Sequence, residues 1–106
     1  MEVNFFKILY ENLSVESKWF LVVLVQQKDY INKEQLRDLT NKAYVKAKEL
    51  DENNGTPLIS SRYLLDIHTA RLEGAGLVEV KEMGRMRLYM ITTLGKQLLE
   101  YAGKQK

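Results

Sequence analysis

The chain has 106 residues, 45% of them hydrophobic and 28% charged, with a net charge of +2 and no cysteine. That is enough for one domain with a single modest core and too little for two, in the balance of a folded chain and not a disordered one. Without cysteine, neither a disulfide framework nor a thiolate metal site is available.

Residues 1–13 lack the basic region, apolar run and cleavage site of a secretory signal. Phe5, Phe6, Leu9 and Leu13 recur there at helical spacing, which predicts a short amphipathic helix over residues 3–12. Ser14 is placed to cap a second helix reaching about residue 27, with Glu16 near its positive end. This helix holds WFLVVLV, apolar on nearly every side and so predicted to be the buried centre. The same run falls far short of the ~18 apolar residues of a membrane span, so a cytoplasmic protein without a membrane partner is expected.

DYIN follows as a short extended connector. Asn32 and Gln35 then form a capping-box pattern for a third helix reaching Asp51. Leu36, Leu39, Ala43, Ala47 and Leu50 give it an apolar stripe, with Lys42 and Lys46 one turn apart on a different side. After the NNGTP loop, Ser60 or Ser61 caps a fourth helix that ends at the glycines of residues 74–76. Its inward stripe is Leu64, Leu65, His68 and Leu72.

Then the period changes. LVEVKEM and RMRLYMIT flank Met83, Gly84 and Arg85 as a two-stranded hairpin. Thr92 or Thr93 caps a last helix with Leu94, Leu98 and Tyr101 on one face. The class is α+β, and a helical trio followed by a hairpin is the layout of a winged helix. One domain is expected over residues 1–106: an N-terminal helix (1–13), the winged-helix core (14–92) and a C-terminal helix (93–106).

Charge is uneven along this layout. Residues 1–59 carry eight Lys or Arg against nine Asp or Glu, and residues 60–106 eight against five. The basic excess lies in the half with the fourth helix and the hairpin, where it suits an anionic partner. An uncovered helix fits the major groove of B-DNA with its first turns nearest the bases. Those turns hold Ser60, Ser61, Arg62 and Tyr63. Arg62 suits a guanine edge or a phosphate, the serines suit phosphate or plain capping, and Arg71 suits a phosphate or a nearby glutamate. Arg85 and Arg87, with Lys81 on the adjoining strand, place positive charge where a wing reaches the backbone or minor groove. Charged hairpins also protect sheet edges, which is the competing reading. Lys42 and Lys46 are candidates for further backbone contacts or for a solvated face.

The sole histidine, His68, reads as a packing residue, because no second ligand lies at helical spacing. With no nucleophile and base at a suggestive spacing and no glycine-rich phosphate loop, neither an enzyme, a metal nor a cofactor is expected. Phe5, Phe6, Leu9, Leu98 and Tyr101 on the flanking helices offer a dimerisation surface, or else complete the monomer's own core.

SSRYLLDIHTARLEGAGLVEV resembles the recognition helix and first wing strand of winged helix-turn-helix proteins. In that family a serine-capped helix ends in a leucine, three residues, a glycine and an apolar pair, here Leu72 through Gly76 with Leu77 and Val78. Tyr89, Met90, Ile91, Thr92, Thr93, Leu94 and Gly95 resemble the family's step from wing to last helix. The resemblance spans residues 14–101. Residues 36–78 are also similar to the C-terminal winged-helix domain of archaeal origin-recognition initiators. A Gly-x-x-x-x-Gly-Lys-Ser/Thr loop is absent, so an ATPase role does not carry over. In size the chain resembles small archaeal, phage or plasmid regulators and the winged-helix adaptors of plasmid partition systems.

The resemblance implies sequence-specific binding of double-stranded DNA by a small homodimeric transcriptional regulator. The alternative is plasmid or viral DNA partition, or replication-origin binding, with a partner protein of that system. A protein-interaction winged helix is a third reading.

Overall fold

Side-chain caps set where the helices start. The computed structural model describes residues 4–48 and 56–104. Over these the order is α1 (Phe5–Glu11), α2 (Val15–Val25), β1 (Ile31–Asn32), α3 (Lys33–Ala47), α4 (Arg62–Gly74), β2 (Val78–Met83), β3 (Met86–Ile91) and α5 (Thr93–Lys104). Ser14 Oγ accepts from the Ser17 amide at 3.0 Å, and Asn32 and Gln35 close a reciprocal capping box. Of the two serines before α4, Ser61 is the cap, accepting from the Leu64 amide at 3.2 Å. Of the two threonines before α5, it is Thr92, accepting from the Gly95 amide at 3.1 Å. Each cap pairs an amide that the first turn leaves open and contributes about 1 kcal/mol.

The end of α4 is as specific as its start. The Leu77 amide donates to the Leu72 carbonyl and the Gly76 amide to the Glu73 carbonyl, with Gly76 at φ +76°. This pair of bonds needs a left-handed residue at Gly76, which glycine supplies without steric cost. The chain is thereby turned from helix into β2.

β2 and β3 form the expected hairpin, turning at Gly84 with φ +64°. The DYIN connector does more than connect. Ile31 and Asn32 pair antiparallel with Tyr89 and Leu88, making a third strand in the order β1-β3-β2. Two residues are too few to display strand alternation in sequence. Val78, Val80 and Glu82 face inward opposite Ile91, Tyr89 and Arg87, while Glu79, Lys81 and Met83 face outward opposite Met90, Leu88 and Met86.

The core lies between the inner face of the sheet and α2, α4 and α5. Tyr89, Ile91 and Val78 meet Phe20, Leu21, Leu24, Leu65, Leu72 and Leu98. Full burial of each such side chain is worth about 1.5–3 kcal/mol. Gly95 lets α5 approach closely: a Cβ there would stand 2.5 Å from the Leu77 carbonyl oxygen.

Two expectations are corrected. α2 is not buried all round: Phe20, Leu21, Val23 and Leu24 are covered where α3, α4, α5 and the sheet pack on it, while Val22 and Val25 are exposed. On α3 the inward arc centres on Leu36 and Thr40, both fully buried. Leu39 lies about 100° round from Thr40 and is exposed, as is Ala47. Val3, Leu50 and the predicted end of the third helix at Asp51 lie outside the described residues. Among the described residues no helix is long and apolar enough to cross a membrane.

Candidate nucleic-acid interface

β1 runs directly into α3, so the first turn of α3 is pinned beside β3, and Ser61 starts α4 over that same turn. The start of α4 and the tip of the wing therefore meet. Asn32, Lys33, Glu34, Arg62, Arg85, Met86 and Arg87 line one cleft of about 130 Å³.

Arg62 is held there by carboxylates. Its Nη1 donates to Glu34 at 3.1 Å and its Nε to Asp66, also at 3.1 Å. Lys33 Nζ donates to the same Asp66 oxygen at 2.8 Å. That bond, with the charges of Lys33 and Arg62, keeps the Asp66 carboxyl below the ordinary carboxylate range. The arrangement orients a guanidinium with open donors toward solvent at the helix N-terminus, where an anionic ligand is favoured.

Arg85 occupies the turn itself, exposed and without an ion-pair partner among the described residues. Arg87 lies one pair back, on the inward face. It donates to Glu73 at 2.6 Å, to Glu82 at 3.4 Å and to the Tyr89 hydroxyl at 3.3 Å. The Tyr89 and Glu73 bonds raise its pKa further. Arg87 ties the wing to the C-terminal half of α4, so only one of the two arginines stands at the tip. Lys81 points from the outer face, its Nζ 5.7 Å from the Tyr30 ring. Tyr30 donates to Glu79 at 2.9 Å, which raises the phenol's pKa.

Along α4, Ser60 and Ser61 are exposed and Tyr63 is 69% exposed. Arg71 is also exposed but falls half a turn round the helix from Arg62. Lys42 and Lys46 open onto a different groove, between α3 and the end of α2. Glu34 and Lys33 were not singled out from sequence, and nothing local signals them, since tertiary packing brings Glu34 to Arg62 and Lys33 to Asp66. The Arg62–Asp66 pair was legible as an i,i+4 spacing.

His68 is buried, as expected of a packing residue. Its Nδ1 lies 3.0 Å from Ser14 Oγ and its Nε2 3.7 Å from Glu16. Burial lowers its pKa, against an opposing pull from Glu16 and with a further push from Arg71. Because Ser14 Oγ accepts from the Ser17 amide, its own proton is free to reach Nδ1, which suits the tautomer protonated at Nε2. The histidine thus clamps α4 to the first turn of α2. Among the described residues no group of three or more His, Asp or Glu side chains is placed to hold a metal ion.

The flanking helices pair within the chain. Phe6 stacks on Tyr101 with ring centroids 6.0 Å apart, and Phe5 meets Phe6 edge-on at 5.7 Å. Leu98 is fully buried in the core, Leu9 is half-buried, and Phe5 and Ile8 remain exposed.

No protein-family model matches the chain. The fold is similar to the crystal structure of Rv1404 from Mycobacterium tuberculosis, with a TM-score of 0.63 at 18% identity. That match covers 90% of this chain and 54% of the other, so the chain spans about half of that protein, and the likeness speaks for the fold alone. Over 101 residues the chain is 42% identical to the DNA-binding protein TubR of Bacillus cereus, covering 92% of this chain and 82% of the relative. The chain belongs to the TubR family. The match to TubR leaves too few residues outside it to omit either flanking helix in full, so α1 and α5 share the family relationship with the winged-helix core.

Proposed function

We propose that the chain binds duplex DNA as a homodimer and thereby marks a plasmid or viral site for partition. The N-terminal turn of α4 enters the major groove and the wing tip lies on the backbone or the adjacent minor groove. Arg62 contacts a base edge or phosphate, with Ser60, Ser61 and Tyr63 beside it. Arg85 contacts phosphate and Lys81 flanks the surface, while Arg71, half a turn round α4 from Arg62, stays outside it. Lys42 and Lys46 are left out of it, since they open onto another groove. The observation that carries the reading is the convergence of Arg62 and Arg85 on one cleft in a chain 42% identical to a DNA-binding protein.

Exposed Phe5 and Ile8, continuous with the Phe6 and Tyr101 stack, supply an apolar contact across a two-fold axis. Two recognition helices would then lie about one DNA turn apart. Partition is preferred to transcriptional regulation because the small winged-helix layout resembles partition adaptors, and such a role requires a partner protein of the segregation system.

The test is fluorescence anisotropy with a duplex from the gene's own upstream region and a scrambled duplex, across a salt series. Tight, salt-sensitive binding to the first supports the reading, and no binding to either at low salt removes it. A plasmid carrying the gene and its flanking DNA separates the two roles. Loss of plasmid retention in Arg85→Ala with unchanged transcript levels supports partition, and the reverse supports regulation.

A further inference from the structure

The uncovered side of α2 is a stripe, not a scatter. Val15, Trp19, Val22 and Gln26 recur at three- and four-residue spacing on one face, with Lys18 and Val25 beside them. Val15 is 55% exposed, Val22 38% and Val25 41%. Single exposed valines are ordinary, but a contiguous apolar strip on the central helix marks a contact surface.

Two grooves open along this helix. Tyr10 of α1 joins Val15, Lys18, Trp19 and Val22 around one of about 250 Å³. Leu39, Lys42, Ala43 and Lys46 of α3 face the end of α2 across another of about 220 Å³. Three lysines rim the pair of grooves and, among the described residues, no carboxylate lines either. Lys18 Nζ rests 4.2 Å from the centre of the Tyr10 ring, while Lys42 and Lys46 have no ion-pair partner among the described residues. Neither groove shares a residue with the cleft of Arg62 and Arg85.

We infer that this face of α2 and α3 docks an amphipathic helix of a partner protein whose flanks carry Asp and Glu. A stripe at helical spacing between two neighbouring helices accepts the apolar face of a third. The lysine rim then selects the charge of the flanks and speeds encounter. A second copy of this chain would bring lysines against lysines, and duplex DNA would satisfy the lysines while setting phosphates against the valines. An acidic helix satisfies both features and leaves the α4 and wing surface open, so partner and DNA can be held together.

Trp19 is the chain's sole tryptophan and sits in the groove, edge-on to Tyr44 at 5.6 Å, so its emission reports occupancy. The probe is a synthetic helical peptide of about 15 residues with leucines at i, i+4 and i+7 and glutamates on both flanks. Its control carries lysines in place of the glutamates. The expected result is a shift in Trp19 emission and binding about tenfold tighter for the glutamate peptide, with the preference inverted in Lys42→Glu/Lys46→Glu. Val22→Asp should abolish binding with an unchanged melting temperature, as expected at a surface position.

Absence of binding, or equal binding of both peptides, overturns the inference. So does a dimer in sedimentation that Val22→Asp dissolves, since the face would then join two copies. Competition by duplex DNA for the peptide would also overturn it by giving the lysines to DNA.

Discussion

Arg62 Nη1 donates to Glu34 at 3.1 Å while its Nε donates to Asp66 at the same distance, so the guanidinium opening α4 is shared between two carboxylates before any ligand arrives. Both partners are about half exposed, so each pair is worth well under 1 kcal/mol. A phosphate competes for those donors. Glu34→Gln should therefore tighten duplex binding by up to about fivefold at low salt, since it removes both a competitor and a negative charge that repels phosphate. Arg62→Ala should weaken it by about 1–3 kcal/mol. Anisotropy titrations measure both, and weaker binding by Glu34→Gln would remove Arg62 from the DNA surface.

Arg85 and Arg87 are two residues apart and should behave oppositely. Arg85 is exposed at the turn, so Arg85→Ala should flatten the slope of log affinity against log salt by about one unit without changing the melting temperature. Arg87 joins Glu73, Glu82 and Tyr89, so Arg87→Ala should lower stability by about 1 kcal/mol and leave the slope nearly unchanged. A salt slope that responds to Arg87 and not to Arg85 would reverse the assignment.

That contrast marks what the sequence could reveal. Caps, helix order, the left-handed Gly76 and the hairpin at Gly84 are local events, and their residue signals were legible. Arg87 was grouped with Arg85 and Lys81 on the wing, whereas it pairs with Glu82 on the face opposite Lys81, and which face meets α4 depends on where the helix packs. The exposed stripe on α2 was missed for a related reason. WFLVVLV carries no periodic polar residue to mark an outer side, so only the positions of α3, α4 and the sheet decide which valines are covered. Leu39 and Thr40 show the same limit, since hydrophobicity favours the leucine as the core residue while the roll of α3 buries the threonine. Glu34 reaches Arg62 and Lys33 reaches Asp66 from about thirty residues away, which no local pattern encodes.

His68 makes stability depend on pH in a defined direction. Burial holds its pKa below the usual 6.5, so the unfolded chain takes up a proton that the folded chain resists. The stability it contributes is present in full above that ordinary value and is lost as pH falls through and below it. Both Glu16 and Arg71 face the ring: the carboxylate opposes the effect and the guanidinium adds to it. As the chain has one histidine, the fall in melting temperature between about pH 8 and pH 5 should flatten in His68→Gln. Parallel curves for the variant and the parent would show that His68 is not held neutral.

Gly95 and Gly103 lie on the same helix and should respond to alanine with opposite signs. Helix propensity alone favours both substitutions, by up to about 1 kcal/mol. At Gly103 a Cβ meets nothing within 4 Å, so Gly103→Ala should stabilise by a few tenths of a kcal/mol near the helix end. At Gly95 it would stand 2.5 Å from the Leu77 carbonyl oxygen and 2.6 Å from Ile91 Cγ1. The carbonyl cannot retreat freely, because it accepts from the Thr92 amide at 3.0 Å and Thr92 Oγ1 in turn caps α5. Making room must push α5 off the sheet or break that bond. Gly95→Ala should therefore destabilise by about 1–3 kcal/mol, a drop of roughly 4–20 °C for a domain of this size. Thermal melts of the two variants give the check, and a Gly95→Ala protein as stable as the parent would mean that α5 does not rest on the carbonyl of Leu77.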